Sequence, residues 1–422
     1  MHKIERLLQT LAPDGVEFKT LEEVFEIKNG YTPSKKNPEF WEKGTIPWFR
    51  MEDIRENGRI LKDSIQHITP KALKGKKLFP KNSIIISTTA TIGEHALLIV
   101  DSLANQRFTF LSKKANCNLA LDMKFFFYQC FLLGEWCKNN INVSGFASVD
   151  MTAFKKYKFP IPPLEVQQEI VKILDAFTEL NTELNTELNA RKKQYEYYQN
   201  MLLDFNGIHS NHKDAKMSAK TYPKRLKTLL QTLAPKGVEF RKLGEVCDFQ
   251  KGKSITKKAV TFGKVPVISG GRQPAYYHNE ANRSGETIAI SSSGVYAGYV
   301  SYWDIPVFLA DSFSVSPKQK TLMPKYLFHY LTTQQDAIHA TKSTGGIPHV
   351  YSKDLQNFLI PIPPLEVQQE IVKILDQFAA LTTDLLAGIP AEIKARKKQY
   401  EYYREKLLTF KPLTPHKEVK KC

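Results

Sequence analysis

The chain has 422 residues, 42% of them hydrophobic and 11% aromatic, which is enough for packed cores and excludes a largely disordered protein. A formal charge of +17 points to a polyanionic partner, either nucleic acid or an anionic membrane surface. The five cysteines (Cys117, Cys130, Cys137, Cys247, Cys422) contain no CxxC pair, which argues against a zinc module or disulfide framework and for a reducing compartment.

The opening segment, MHKIERLLQTLAPDG, is charged within its first six residues and shows no signal peptide. The longest apolar-rich run, residues 125–133, is far shorter than the roughly 20 residues a membrane span needs. A cytoplasmic protein with no membrane partner is expected. Residues 1–159 read as a first mixed α/β domain, with a β-branched run at 83–88 (SIIIST) and a helical stretch at 124–136. Its basic residues are interleaved with aromatics, a pattern suited to DNA: Lys28, Tyr31, Lys35, Lys36, Trp48, Arg50, Arg55, Lys71, Lys74, Lys76 and Lys77. Ser87, Thr88 and Thr89 stand where a strand end could meet phosphates. Gly145, in the loop VSGFASVDMTAF, is a further DNA candidate that reads equally as a structural turn.

Residues 160–205 predict one long helix. After the Pro162-Pro163 lead-in, apolar residues recur at helical spacing: Ile170, Ile173, Leu174, Phe177, Leu180, Leu184, Leu188, Tyr195, Tyr198 and Leu202. At 1.5 Å per residue the helix would run about 60 Å. Its middle, residues 178–189, is TELNTELNTELN. A four-residue unit nearly matches one turn, so the tetrads read as a ruler or as low-complexity filler. A polar linker follows at 206–222.

Residues 223–360 read as a second mixed α/β domain, with a strand run at 286–293 and a helical stretch at 325–335. Its DNA candidates are Lys251, Lys253, Lys257, Lys258, Arg272, Gln273, Tyr276, Tyr277, Ser291, Ser292, Ser293 and Gly346. Arg272 and Gln273 have the chemistry to read guanine and adenine edges. Residues 361–410 predict a second long helix, kinked or broken at Gly388 and Pro390, and residues 411–422 form a tail.

The two halves repeat. PIPPLEVQQEIVKILD at 160–175 recurs without a change at 361–376, ARKKQYEYY at 190–198 recurs at 395–403, and LLQTLAPDGVEF at 7–18 recurs at 229–240 with only Asp14 replaced, by Lys236. The intervening interiors, 141 and 120 residues long, are only faintly alike. An identical scaffold with differing interiors implies one geometry carrying two specificities. A long amphipathic helix per half needs a partner for its stripe, and the other copy supplies one, giving an antiparallel pair. Ile170, Ile173, Leu174, Phe177, Leu184, Tyr195, Ile371, Ile374, Leu375, Phe378, Leu385 and Tyr400, on these helix faces, are the candidates for an interface with other subunits. The fold class is therefore α+β (α/β): two similar mixed domains separated by two long antiparallel helices in a coiled-coil-like spacer, a tandem repeat with pseudo-two-fold symmetry.

At these motifs the sequence resembles the specificity (S) subunits of type I restriction–modification enzymes, and the opening of the first divergent domain, NGYTPSKKNPEFWEKGTIPWFRMEDI, resembles the family too. The resemblance implies two target-recognition domains, each reading one half of an interrupted, asymmetric site in double-stranded DNA. It implies no active site and no cofactor in this chain. Two methyltransferase (M) subunits with S-adenosylmethionine, and restriction (R) subunits with ATP and Mg, would complete the complex. The alternative is a helix-pair scaffold that binds proteins without reading DNA.

Fragments that imitate catalysis fail on their own residues. Asn37-Pro-Glu-Phe40 lacks the second proline of a methyltransferase tetrad and a glycine-rich cofactor loop upstream. Asp14, Glu17 and Lys19 stand too close to form a nuclease metal site, and the second copy replaces Asp14 with Lys236. Gly252-Lys253-Ser254 has Cys247 where a phosphate-binding loop needs glycine. His209 and His212 have no partner ligands nearby in sequence.

Overall fold

The structure is a computed structural model, and it describes residues 2–75, 77–142, 147–205, 222–318, 320–343, 346–383 and 388–413. Lys76, Gly145, Leu385, His209, His212, Cys422 and nearly all of the linker 206–222 lie outside the described residues. The chain forms two compact units, Met1–Glu183 with Lys394–Cys422, and Leu184–Ile393. These units do not follow the chain order that the sequence suggests: each contains the start of one long helix and the end of the other.

In the first unit, strands Phe25–Asn29, Phe108–Lys113, Ser83–Ser87, His95–Leu98 and Ile60–Leu61 form a five-stranded sheet in that order. His67–Ile68, Ile46–Phe49 and Leu103–Ala104 form a three-stranded sheet. Strand Ser83–Ser87 is buried along its whole length, which is why its sequence is a continuous apolar run rather than an alternation. Helix Met123–Asn139 packs on this strand and on His95–Leu98. Asp122 caps it, its carboxylate accepting from the backbone N–H groups of Lys124 and Phe125. Gly134 in that helix is required by contact: a Cβ there would stand 2.6 Å from the Gly93 carbonyl oxygen.

The second unit repeats this topology on a different sequence. Cys247–Lys251, Ser312–Pro317, Thr287–Ser291 and Val300–Trp303 make the larger sheet, and Tyr276–His278, Val265–Ile268 and Phe308–Leu309 the smaller. Helices Pro324–Thr333 and Gln335–Ala340 stand where the first unit has one longer helix. Helix Met51–Asn57 and strand Ile60–Leu61 of the first unit, between its Phe49 and His67, have no counterpart in the short stretch between Ile268 and Tyr276. Part of the extra length of the first interior lies there.

The proline lead-ins are strands. Lys158–Ile161 pairs antiparallel with Glu17–Thr20, and Leu359–Ile362 with Glu239–Lys242, in the same register (Phe18 opposite Pro160, Phe240 opposite Pro361). Helix Leu164–Leu203 then runs unbroken through the TELN tetrads. There Leu180, Leu184 and Leu188 are half-buried, and Glu179, Glu183 and Glu187 are exposed. The second copy is described as two helices, Leu365–Thr383 and Ile389–Leu408. The Gly388 carbonyl accepts from Ala391 N at 2.9 Å, and Pro390 sits in the first turn of the new helix, as expected for a break at these residues.

Within each unit an outgoing helix lies against an incoming one, so the pair is antiparallel. Phe177 meets Tyr400 and Tyr403 at ring separations of 6.2 and 5.7 Å in the first unit, and Tyr198 stacks on Phe378 at 5.1 Å in the second. This changes the reading of the interface candidates. Ile170, Leu174, Ile371 and Leu375 are wholly buried in the core of their own unit, which leaves them no surface for another subunit. Ile173, Phe177, Leu184, Tyr195, Ile374, Phe378 and Tyr400 are half-buried. The exposed aromatics of the long helices are Tyr197 and Tyr402, at matching positions of the two ARKKQYEYY motifs.

Candidate nucleic-acid interface

Both units carry the same backbone clasp at one end of the larger sheet. In the first, Thr88 N donates to the Arg107 carbonyl at 3.1 Å and Val149 N donates to the Thr88 carbonyl at 2.9 Å. In the second, Ser292 N donates to the Asp311 carbonyl at 3.1 Å and Val350 N to the Ser292 carbonyl at 2.9 Å. Thr89 bridges to Ser148, and Ser293 to His349. The clasp joins the end of the central strand to the segment before the proline lead-in, so the Ser/Thr runs are equivalent between units, as are Ser148-Val149 and His349-Val350. Gly346 lies in that segment with φ +88°, a backbone conformation that favours glycine.

The clasp also corrects part of the DNA-contact reading. Ser87 and Ser291 are buried and donate to the carbonyls of Thr89 and Ser269, while Thr88 is buried against the Thr109 hydroxyl. Their polar groups are engaged internally. Ser293 donates to the Asp311 carboxylate, and Ser292 and Thr89 are half-buried. Trp48 is likewise a core residue at 2% exposure, its indole N–H donating to the Tyr31 carbonyl and its ring edge-on to Trp41. Tyr31 is half-buried against the same cluster.

Among the remaining candidates of the first unit, Lys35, Lys36, Arg55 and Lys77 are exposed. Lys28 is exposed and paired with Glu26 at 2.8 Å, Lys71 pairs with Glu39 at 3.4 Å, and Lys74 lies over the Phe40 ring. Lys35, Arg50 and Arg107 converge with Asn105, Gln106 and Thr91 around a cavity of about 300 Å³. The Arg50 Nε is buried with no hydrogen-bond partner among the described residues, and faces Glu52 at 3.8 Å. An adjoining cavity of about 620 Å³ is lined by Arg55, Arg59 and Lys138, with Met51 and Thr91 common to both. Under this end lies His95, fully buried between Phe127 and Phe131; burial lowers its pKa to about 3 and keeps the imidazole neutral.

In the second unit Lys251, Lys253, Lys257, Lys258, Arg272, Gln273 and Tyr277 are exposed, and Tyr276 is half-buried in its strand. Arg283, set below the basic loop, donates to the Gln250 and Lys251 carbonyls and fixes its start. The Arg272 guanidinium lies over two rings, Tyr296 at 5.0 Å and Tyr299 at 5.7 Å, and so is held in place rather than free in solvent.

Sequence reasoning missed Arg59, Asn105, Gln106, Arg107 and Lys138. Arg107 is remote in sequence from Lys35 and Arg50, and only the sheet order brings them to one cavity. A signal was available: the polar tripeptide Asn105-Gln106-Arg107 interrupts two apolar strands. The imitations of catalytic motifs find structural uses. Asn37 accepts from Glu39 N to cap the turn Pro38–Phe40, and Lys19 pairs with Glu17 at 2.7 Å. A Cβ on Gly252 would stand 2.5 Å from the Ala310 carbonyl oxygen. Among the described residues, no group of three or more His, Cys, Asp or Glu is placed to hold a metal ion, and no helix is long and apolar enough to cross a membrane.

Residues 13–193 and 235–395 each match the family model described as type I restriction modification DNA specificity domain. The chain belongs to the type I restriction enzyme specificity-subunit family. It is 40% identical to the EcoprrI specificity subunit of Escherichia coli over 88% of this chain and 90% of that one. It is 33% identical to the EcoR124I/EcoR124II specificity subunit of Escherichia coli over 62% and 65%. Among solved structures, the S subunit of a type I system from M. genitalium shares the fold, with TM-score 0.55 and 19% identity over 93% of this chain and 95% of that one. A second, from work on complex assembly and conformational transition of the type I restriction–modification system, gives TM-score 0.58 at 19% identity over 93% and 97%. As a specificity subunit, the chain is a DNA-recognition protein with two recognition units, and the basic loop ends described above are its candidate DNA contacts.

Proposed function

We propose that this specificity subunit reads a two-part, asymmetric site in double-stranded DNA, one half-site per unit, without an active site of its own. Two methyltransferase subunits dock on it, bringing S-adenosylmethionine, and restriction subunits bring ATP and Mg. The observation that carries the reading is the pairing of sameness and difference. The backbone hydrogen bonds of the clasp and the register of the helix lead-in are the same in the two units, whereas the side chains around them differ: Lys35, Arg50 and Arg107 in one, Arg272, Gln273 and Asp311 in the other. Two copies of one reader with different tips suit two different half-sites. Phosphate contacts from the exposed lysines position the duplex, and the fixed polar heads at the loop ends meet base edges.

The test is methylome mapping in cells that express this chain with methyltransferase subunits. A gapped motif with two unlike halves is expected, and a continuous palindrome would overturn the reading.

A further inference from the structure

Arg107 and Asp311 occupy the same place in the two units. Each follows a short parallel strand of the smaller sheet, Leu103–Ala104 or Phe308–Leu309, and immediately precedes the second strand of the larger sheet, Phe108–Lys113 or Ser312–Pro317. Each offers its carbonyl to the clasp, accepting from Thr88 N and Ser292 N at the same 3.1 Å. Each side chain is solvent-accessible at the loop end. Their charges are opposite.

That combination is what a specificity position requires. The backbone is fixed by the clasp, so the side chain can change without changing the fold, and a head on a fixed pedestal loses little freedom on binding. Arg107 opens into the cavity shared with Lys35 and Arg50, a strongly basic setting. Asp311 accepts from the Ser293 hydroxyl at Oδ2, and Oδ1 has no hydrogen-bond partner among the described residues. A carboxylate on a DNA-facing surface is repelled by phosphates, and the groups of a base pair that it accepts from are amino groups. A guanidinium in the major groove matches the O6 and N7 acceptors of guanine.

We propose that residues 107 and 311 are equivalent base-reading positions of opposite polarity: Arg107 donates to guanine in one half-site, and Asp311 accepts from a cytosine or adenine amino group in the other. The inference rests on the two-half-site reading. It goes further by assigning one determinant per unit and the polarity of the base edge each takes.

The experiment is selection from a randomised duplex DNA library by the full chain in complex with methyltransferase subunits. Wild type is compared with Arg107→Lys, which keeps the charge and loses the fork, and Asp311→Asn, which can still accept from Ser293. Arg107→Lys should reduce guanine preference at one position of one half-site by about ten- to hundred-fold. Asp311→Asn should move the preference at one position of the other half-site toward adenine, the base an amide pairs with in bidentate fashion. Melting curves that superimpose on wild type would establish that both variants are folded. A wild-type two-part motif left unchanged by both variants would sink this inference while leaving the proposed function standing. Uniform weakening across all sequences after Arg107→Ala, with a salt dependence shallower by about one counterion, would make Arg107 a phosphate contact and overturn its half of the assignment. If wild type selected no two-part motif, the proposed function itself would fall.

Discussion

Gln167 and Gln368, 201 residues apart, make the same three hydrogen bonds in the two units. Gln167 Nε2 donates to the carbonyls of Ala120 and Pro162 while its Oε1 accepts from Asp122 N. Gln368 does the same with Thr321, Pro363 and Met323. Both are fully buried. Nearby, Lys124 pairs with Asp175 at 2.6 Å and Lys325 with Asp376 at 2.7 Å. The repeated 16-residue segment thus ties the first turns of each long helix to the start of the helix that packs on the larger sheet. This gives a physical reason for its identity between halves whose interiors differ.

Replacing Gln167 with Leu takes the partner from three backbone groups, Asp122 N and the carbonyls of Ala120 and Pro162, of which Pro162 is buried. An unpaired buried group costs about 1–3 kcal/mol, so the first unit should lose at least that much stability. Hydrogen exchange should show Asp122 and the following turn losing protection, with the amide of Met323 in the second unit unaffected. Gln368→Leu should give the mirror result. Equal loss in both units from either variant would contradict a local role.

His95 sets a pH dependence for the first unit. Its folded pKa is lowered to about 3 by burial, from an ordinary value of 6.5. The unfolded chain therefore binds a proton that the folded chain refuses between these values. The contribution of His95 is present above pH 6.5 and is lost as the pH drops toward 3, by up to about 1.4 kcal/mol per pH unit. The matching site in the second unit is Val300, paired with Ile290 as His95 is with Ile86. His95→Val should remove this slope, as denaturant melts of wild type and variant at pH 7 and pH 5 would reveal. An unchanged slope would place the acid sensitivity elsewhere.

Asp376 contributes in the same direction in the second unit. The hydrogen bond from His329, and after it Lys325, holds its carboxyl below the ordinary value of 3.8. A lowered carboxyl pKa stabilises above the unfolded value, and the effect fades as pH falls through the folded one. Asp376→Asn should flatten the melting profile of the second unit below about pH 4 and leave pH 7 binding specificity intact. A variant as acid-sensitive as wild type would exclude this pair as a source.

What the sequence made legible was periodic or repeated. The long helix was readable from its 3.6-residue stripe, the strand at 83–88 from its apolar run, and the doubled architecture from identical segments. Burial at single residues was not. Trp48 lies among basic residues in sequence, but strand Ile46–Phe49 turns it into a small core with Phe40, Ile68 and Leu103. Ile170 and Leu174 sit on the apolar stripe as Phe177 does, yet they face the domain core whereas Phe177 meets the other long helix. Spacing identifies a face but not what covers it. The polar tripeptide 105–107 marks Arg107 as a loop residue, but its convergence with Lys35 and Arg50 comes from strand order.

The exposed lysines of the second unit should act on affinity rather than sequence choice. Lys251, Lys253, Lys257 and Lys258 are solvent-exposed. Removing one lysine–phosphate pair should make the log–log salt dependence shallower by about 0.9. Changing all four to Ala should weaken DNA binding on every sequence and keep the selected motif, whereas a binding constant insensitive to salt in wild type would favour a protein-binding scaffold. Binding isotherms across a salt series distinguish the two.

The TELN tetrads yield a prediction about spacing. Helix Leu164–Leu203 is continuous through residues 178–189, and the boundary between the two units falls inside them, between Glu183 and Leu184. The Thr182 hydroxyl donates to the Thr178 carbonyl one turn back at 2.9 Å, and the repeated leucines stay half-buried. Removing one tetrad therefore keeps the leucine stripe within about 40° of its phase while shortening the helix by about 6 Å. At about 3.4 Å per base pair that corresponds to nearly two base pairs of the gap between half-sites. Methylome mapping of the deletion should show both half-site sequences intact with a shorter gap, and a tetrad insertion the reverse. A single-residue deletion, which turns the stripe by about 100°, should instead impair assembly. Altered half-site sequences with an unchanged gap would refute the ruler and leave the tetrads as helix filler.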